Sequence, residues 1–322
     1  YNNLALSTIK PLGPGTHTIY LLVRRHLGTA TAMVFDSTLS AIFVPTPGAA
    51  DLLTCQASGE NTWTTISSSY GIMRQCSLDL PSHGWVYISA DGTADTLASD
   101  YEGQFRLGVD DLAGDYRTDR WLNVYDDPGG DTDTTLTLAG LLPVAAGEHS
   151  FYLLGRRSDG AGTVQVYDST LNVLFFPAPS FTAASCGVAQ SGLWQASSAT
   201  FYPISQCTLD VPAGSWVFIS ANATVNWDTA EARGHFEMGI DTSASGDPDM
   251  DRWIDIYPDS GDGSDDGLAL TMLRQVPAGT HTFYLLGRRD DGSGNEDVYD
   301  ASRTVLALGA HENYLPLILR AY

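Results

Sequence analysis

The sequence repeats itself at a step of 132 residues. The string HTIYLLVRR at residues 17–25 returns as HSFYLLGRR at 149–157 and as HTFYLLGRR at 281–289. Each copy is followed by an Asp on the same period: Asp36, Asp168 and Asp300. A period of this length indicates consecutive domains of similar fold rather than one large domain.

The upstream part of the repeat is present only twice. Five residues of one copy match five of the other at a step of 131: Cys55, Trp63, Cys76, Trp85 and Asp110 with Cys186, Trp194, Cys207, Trp216 and Asp241. We call this part the front half and the HTFYLLGRR region the back half. The sequence then predicts four parts: an incomplete N-terminal unit (1–47, a back half alone), a first module (48–178), a second module (179–310) and a C-terminal tail strand (311–322).

Within each module, short runs of alternating or continuous apolar residues are separated by Gly, Asp, Ser and Pro clusters. No run keeps a 3.6-residue period long enough for a helix, so the pattern predicts an all-β chain of tandem antiparallel β-sandwich or jelly-roll modules. The strands G-W-V-[YF]-I-S-A and A-G-x-H-[ST]-x-Y-L-L around an acidic turn resemble the jelly rolls of the C1q and TNF type found in secreted proteins. This resemblance implies a fold and no function.

The charge of the chain narrows the classes of partner. The formal net charge is -22, from 38 acidic and 16 basic side chains. Such a surface repels phosphate backbones, so nucleic acid and anionic lipid are not expected as partners. No stretch has the roughly 20 apolar residues that span a bilayer. Because the chain starts at Tyr1 without a Met or a leader, we expect a processed protein that is extracellular or on the cell surface.

The four cysteines lack metal-site spacing and a C-x-x-C motif. The duplication favours disulfides between Cys55 and Cys76 and between Cys186 and Cys207, since each module then closes the same loop. A free buried pair is the alternative.

The repeated His residues raise the question of catalysis. His17, His149 and His281 each precede an Arg pair and an Asp, which could form a ligand-binding or catalytic group. Three copies, one of them in an incomplete unit, favour a structural network instead. The sequence also lacks the common hydrolase, zinc-protease, phosphate-binding and dinucleotide motifs. We therefore expect no enzyme and no required cofactor; a hydrolase remains a lesser alternative.

The Asp-rich turns have the oxygen density that calcium requires. The candidate ligands are Asp126, Asp131, Asp133, Asp259, Asp262 and Asp266. Solvated acidic loops are the simpler interpretation, because no turn matches an EF-hand. Trp227 is the one Trp without a partner on the repeat period, and it lies near a formal glycan acceptor at Asn222.

The N-terminal unit and the tail suggest how copies could join. A back half alone would expose sheet edges and apolar residues, for which the candidates are Ile19, Leu21, Val23 and Phe43. The tail offers an apolar strand with Tyr314, Leu315, Leu317, Ile318 and Leu319. Insertion of one subunit's tail into the next subunit's N-terminal unit would give an open filament by donor-strand complementation.

This organisation is similar, in architecture only, to secreted bacterial multi-domain β-sandwich repeat proteins that form extracellular filaments. The preferred hypothesis is therefore a structural subunit that polymerises head to tail with copies of itself. One alternative is a secreted carbohydrate-binding or adhesin array, in which Trp227 and the Asp turns make calcium-assisted contacts with glycans. A closed monomer and a piece of a longer array are further alternatives.

Overall fold

A computed structural model describes residues 6–23, 39–41, 53–59, 62–95, 101–124, 134–160, 162–178, 181–187, 194–196, 198–212, 215–227, 232–247, 251–256, 265–292, 296–308 and 317–319. Apart from one 3-10 turn at Tyr116–Thr118, all the regular structure in these ranges is β-strand. The strands pair antiparallel throughout. The all-β prediction is confirmed. The described part of the chain contains no helix long and apolar enough to cross a membrane.

The first nine strands after β1 (Leu39–Ala41) form one sandwich. They are β2 (Thr54–Ser58), β3 (Trp63–Thr65), β4 (Gly71–Leu80), β5 (Gly84–Asp95), β6 (Tyr101–Val109), β7 (Arg120–Val124), β8 (Thr134–Val144), β9 (Gly147–Gly160) and β10 (Val164–Pro177). One sheet has the order β2-β10-β5-β8, with β3 also paired to β10, and the other has the order β4-β9-β6-β7. Because strands that follow one another mostly lie in opposite sheets, the arrangement is a jelly roll.

The next nine strands repeat this topology. They are β11 (Phe181–Gly187), β12 (Trp194–Ala196), β13 (Tyr202–Val211), β14 (Trp216–Trp227), β15 (Ala232–Ile240), β16 (Asp251–Ile256), β17 (Asp266–Gln275), β18 (Gly279–Gly292) and β19 (Glu296–Leu308). Their sheet orders are β11-β19-β14-β17, with β12 also on β19, and β13-β18-β15-β16. Each module therefore closes its own sandwich, with its core between the two sheets.

The two modules pack through the sheets that contain β10 and β19, which we call the inner sheets. A third apolar cluster lies between them and joins Trp85, Tyr87, Leu174 and Phe176 to Trp216, Phe218, Leu273, Leu306 and Leu308. Within it, the rings of Tyr87 and Phe218 meet edge to face at 5.3 Å. The inner sheet is covered on both faces, which explains why β8 (TTLTLAGLLPV) is apolar on both sides and almost fully buried. In β4 of the outer sheet, by contrast, exposed residues alternate with more buried ones.

Aspartates hold four backbone positions that most residues avoid. Asp110, Asp168, Asp241 and Asp300 are the described non-glycine residues with positive φ, between 48° and 58°. Asp168 and Asp300 lie at register shifts of β10 and β19, where one strand gains an extra residue. Asp tolerates this conformation better than branched residues do, which accounts for an Asp at each position.

The predicted disulfide between Cys55 and Cys76 is present, with a Cα–Cα distance of 5.9 Å. It ties β2 of the inner sheet to β4 of the outer sheet. Cys207 is also disulfide-bonded, and no described cysteine is free. The side chain of Cys186 lies outside the described residues.

The N-terminal unit has little regular structure of its own in the described ranges. Residues 6–23 contain no strand, and β1 forms a two-stranded sheet with β20 (Leu317–Leu319) in the tail. The strand β1 also lies beside β17 of the second module.

Candidate assembly surface

The repeat shows what β1 corresponds to in a complete module. Residues 39–41 match residues 171–173 of β10 and 303–305 of β19 at steps of 132. In both modules this strand has a neighbour on each side: Val173 pairs with Cys55 and with Ile88. β1 is therefore the equivalent of a central strand, and β20 is the one described strand that forms hydrogen bonds with it.

The tail occupies a position that a front-half strand fills in the modules. Leu39 pairs with Leu319 and Ala41 with Leu317, antiparallel. In the first module the equivalents of Leu39 and Ala41 pair with Ala90 and Ile88 of β5, among other residues. If the tail is aligned with β5 on this register, residues 314–319 (YLPLIL) match residues 85–90 (WVYISA). Three leucines of the tail then take the positions of three buried residues of β5: Val86, Ile88 and Ala90. The tail thus has the pattern of a missing front-half strand.

Much of the described segment 6–23 of the N-terminal unit is exposed to solvent. Leu6 is 66% exposed and Leu22 is 80% exposed. Their equivalents in the first module, Leu138 and Leu154, are 1% and 0% exposed. Leu12, Leu21 and Val23 are also exposed. A unit with only a back half therefore presents to solvent the residues that a complete module uses as its core.

The acceptor residues predicted from the sequence stay a prediction, because the pairing in the structure is within one chain. The tail strand pairs with residues 39–41 rather than with Ile19, Leu21 or Val23, which lie in a segment without strand pairing. Phe43, Tyr314 and Leu315 lie outside the described residues, and for Leu317, Ile318 and Leu319 only the backbone pairing is described. The pairing joins two segments of the same chain, whereas the hypothesis from the sequence places it between chains.

The N-terminal unit also docks on the first module through Ser7. The Ser7 hydroxyl and backbone N–H donate to one carboxylate oxygen of Asp91, at 2.6 and 3.1 Å. Ser89 Oγ donates to Ser7 Oγ at 3.2 Å, and the amide of Asn172 donates to the Ser7 carbonyl at 3.2 Å. All three partners are buried on the inner sheet, so Ser7 fills a defined polar recess.

Burial raises the pKa of Asp91, and the hydrogen bonds from Ser7 and Thr170 oppose that shift. Loss of Ser7 would leave this buried carboxyl with fewer donors. The contact therefore stabilises the ionised form of Asp91 and fixes the start of the N-terminal unit on the module.

A related contact, displaced by two residues, joins the two modules. Ala139 of β8 matches Ser7 at a step of 132, and Asn222 matches Asp91 at a step of 131. Thr137 Oγ1, also on β8, donates to Asn222 Oδ1 at 3.1 Å, and Ser302 Oγ donates to the Ala139 carbonyl at 3.4 Å. In both places the segment before a back half, residues near Ser7 or the strand β8, lies on the inner sheet of the next unit. One heterologous contact therefore relates each unit to the next.

A buried arginine strengthens the contact between the modules. Arg120 of β7 is 1% exposed, and its guanidinium donates to the backbone carbonyl of Asp300 and, at 2.7 Å, to Ser302 Oγ. Burial lowers the pKa of Arg120 to about 10 and raises that of the Asp300 carboxyl to about 6, although the two charges attract. The equivalent of Arg120 in the second module is Arg252.

Sequence reasoning missed this docking contact, yet the sequence carries a signal for it. LALSTIK at residues 4–10 matches LTLAGLL at 136–142 and LALTMLR at 268–274, on the same step of 132. The repeat thus begins before His17. The N-terminal unit contains the equivalents of β8 and β17, which are the strands that dock.

The repeated histidines have structural roles in the modules. His149 Nδ1 lies 2.6 Å from Asp110, and His281 Nδ1 lies 2.6 Å from Asp241. The other ring nitrogen in each case lies near a carbonyl oxygen, of Ala145 or of Pro277. Both ring nitrogens of each His therefore have a partner, and these identical contacts fix the turn that precedes β9 and β18.

Most of the remaining candidates lie outside the described part of the chain. Of the proposed calcium ligands, Asp126, Asp131, Asp133, Asp259 and Asp262 lie outside the described residues. Asp266 is buried, and its carboxylate accepts a hydrogen bond from the Gly267 N–H. The described residues contain no group of three or more potential metal ligands. The side chain of Trp227 is likewise outside the described part.

Comparison with known proteins gives no family for the chain. No protein-family model matches the sequence, and no curated protein matches it. Among solved structures, the N-terminal CBM22-1-CBM22-2 tandem domain of Xyn10C from Paenibacillus barcinonensis is 13% identical, with a TM-score of 0.22, and the match covers 83% of this chain and 98% of that one. The stem and receptor-binding domain of the spike protein P1 from bacteriophage PM2 is 14% identical, with a TM-score of 0.16, covering 84% and 98%.

Proposed function

We propose that the protein is a structural subunit of an extracellular filament or surface fibre that polymerises head to tail. The tail of one subunit would pair with β1 in the N-terminal unit of the next. The subunit would be secreted and would need neither catalytic activity nor a cofactor. The observation that carries the proposal is the pairing of β20 with β1, in which the tail strand takes the place of a missing front-half strand.

This pairing is suited to exchange between chains. Both strands lie in terminal parts of the chain, outside the two closed sandwiches, so exchange leaves either module intact. A two-stranded ribbon is marginally stable in water by itself, so little is lost when it opens. The same three backbone pairs form in a second copy, and exchange of an identical element is a low-cost route to association.

The uncovered apolar residues favour association over a monomer. Fully burying a leucine contributes about 1.5–3 kcal/mol. Covering Leu6, Leu12, Leu21 and Leu22, which are exposed in the single chain, therefore offers several kcal/mol to an assembly.

The charge distribution favours contact at the ends over lateral contact. The formal charge is -12 for residues 48–178 and -12 for 179–310. Residues 1–47 carry +2 and residues 311–322 carry 0. Modules of like charge repel side by side, whereas the two proposed joining segments meet without repulsion.

Electron microscopy and light scattering over a range of concentrations test the proposal. We expect polymers above a threshold concentration, and none after deletion of residues 314–322. A synthetic peptide of residues 311–322 should cap the acceptor and shorten the polymers, while a scrambled peptide of the same composition should not. Monomers at all concentrations would refute the proposed function, and polymers that survive the deletion would refute its strand-pairing mechanism.

A further inference from the structure

The outer sheet of the second module carries a buried histidine. His235 of β15 is 5% exposed, and its ring stacks on Trp253 of the neighbouring strand β16, with the ring centroids 4.0 Å apart. Two nitrogens of the Arg288 guanidinium, on β18, lie 3.0 and 3.2 Å from Nδ1 of this ring. On the other side, Nε2 lies 3.2 Å from Asp251 Oδ2. His235 is thus the middle member of a hydrogen-bonded row that crosses three strands.

These hydrogen bonds determine the protonation state of the ring. A guanidinium has donors and no acceptor, so His235 Nδ1 accepts from Arg288 and carries no proton. The proton of the neutral ring is therefore on Nε2, which donates to Asp251. A second proton could bind only at Nδ1, where it would point at the N–H groups of Arg288 and place two positive charges side by side. The contact between Arg288 and His235 therefore requires a neutral ring.

The first module has the same network with a side chain that does not titrate. Gln104 is the equivalent of His235, at a step of 131. Its Oε1 accepts from Arg156 Nε at 2.7 Å, and its Nε2 donates to Asp119 Oδ2 at 3.2 Å. Arg156 and Asp119 are the equivalents, at a step of 132, of the two partners of His235. Neutral histidine reproduces the donor and the acceptor of this glutamine, whereas protonated histidine has two donors and no acceptor.

Arg288 also holds the segment 198–201, which lies between β12 and β13. Its guanidinium donates to the Ala199 carbonyl at 3.4 Å and lies over the Phe201 ring, 4.7 Å from the centroid. The Phe201 ring also meets the His235 ring at a steep angle, with the centroids 5.1 Å apart. A change at His235 therefore reaches this segment directly and through Arg288.

We propose that His235 is an acid-sensitive switch, which on protonation loosens segment 198–201 of the second module and leaves the first module unchanged. The proton comes from solvent and binds at Nδ1. It removes the acceptor of the Arg288 hydrogen bonds and repels the guanidinium, which then no longer holds the segment against the sheet. The switch belongs to a single chain, so it does not depend on the proposed polymer.

The charged groups that face the ring come from all three strands. Glu237 of β15 lies 3.4 Å from Nε2, on the same side as Asp251 of β16, and Arg288 of β18 lies on the other side. Arg288 is also 3.3 Å from Asp290. Both carboxylates near the ring already accept other hydrogen bonds, Glu237 from the Gly246 N–H and Asp251 from the Trp253 indole. Farther along β15, the Arg233 guanidinium is 6.0 Å from the centroid of the Trp253 ring.

The balance of these groups gives the direction of the response to pH. Burial is the largest influence and lowers the pKa of His235; Arg288 lowers it further, while Glu237 and Asp251 oppose the shift. The folded protein therefore binds this proton more weakly than the unfolded chain does. The stability contributed by the neutral ring is complete above the ordinary pKa of histidine, about 6.5, and is lost as the pH falls toward the lower pKa of the folded state.

Hydrogen exchange of the full-length protein at pH 8 and pH 5 tests the switch, with each rate divided by that of the unfolded chain at the same pH. The Arg289 N–H donates to the Ser198 carbonyl, and the equivalent Arg157 N–H donates to the Ser67 carbonyl. These two amides are matched reporters of the two modules. The Arg289 amide should lose protection at pH 5 relative to the Arg157 amide. The contacts of His149 and His281 are the same in both modules, so they do not account for such a difference.

Two substitutions assign the effect to this position. His235→Gln gives the second module the side chain of the first and should abolish the loss of protection at pH 5. Gln104→His should bring the loss to the first module, at the Arg157 amide. Equal protection of the wild-type Arg289 amide at pH 8 and pH 5 would overturn the proposal, and so would a loss that persists in His235→Gln.

Discussion

Replacing Asp300 with Asn should stabilise the protein at neutral pH. The Asp300 carboxyl lies at the contact between the modules, and burial raises its pKa from 3.8 to about 6. The folded protein therefore holds this proton more tightly than the unfolded chain does. Stability is greatest where both states are protonated, below pH 3.8, and is lost as the pH rises to about 6.

The size of the effect follows from the shift. A difference of about two pKa units, at about 1.36 kcal/mol each, costs the ionised protein about 3 kcal/mol above pH 6. Asn resembles the protonated acid and tolerates the positive φ at this position. We therefore expect Asp300→Asn to equal the wild type near pH 4 and to exceed it by up to about 3 kcal/mol at pH 8.

Urea unfolding followed by tryptophan fluorescence, from pH 4 to pH 8, measures this difference. Asp168→Asn is the matched control, because Asp168 has the same positive φ at the equivalent position of β10 but is exposed. It should change stability by less than about 0.5 kcal/mol at any pH. An Asp300→Asn variant that is less stable than the wild type at pH 8, or that keeps the wild-type pH slope, would refute the reasoning.

Three further outcomes can be measured by denaturant unfolding. Arg120→Met should cost about 1.5–3 kcal/mol, because it removes the charged hydrogen bonds to the Asp300 carbonyl and to Ser302 Oγ; a cost under about 1 kcal/mol would show that Arg120 does not hold the modules together. Replacing Cys55 and Cys76 with Ala should lower the free energy of unfolding by about 3 kcal/mol, because the unfolded chain regains the conformational entropy that the cross-link removes. Leu22→Ser should change the free energy of unfolding by less than about 0.5 kcal/mol. The equivalent substitution Leu154→Ser should lower it by more than about 2 kcal/mol. Equal losses of stability in the two variants would contradict the exposure of Leu22.

The strands and one disulfide could be predicted because their signals are local or repeated. Alternation of apolar residues defines β4 and β13, and duplication of the cysteines points to Cys55–Cys76. The continuous apolar pattern of β8 indicates that both its faces are covered. It does not say by what, since any apolar surface satisfies the same pattern.

The partners of the N-terminal unit could not be predicted in the same way. Residues 17–23 and 39–43 are both apolar, so the sequence does not choose between them as the place where the tail pairs. The docking contact depends on small polar residues such as Ser7 and Thr137, whose hydrogen bonds follow from the relative placement of whole sheets. The repeat predicts where this docking contact recurs in the sequence, but only after one copy of the contact is known from the structure.

The contact between consecutive units also bears on how such a chain can evolve. Since each unit offers one surface forward and the complementary surface backward, a tandem gene duplication that adds a further 132 residues supplies both halves of the new interface at once. Arrays of different length could thus arise without any compensating substitution, and shortening by recombination between copies would be equally tolerated. The distance between the two ends of the subunit would then be set by the number of repeats in the gene. It could change without any change in the residues that join one subunit to another.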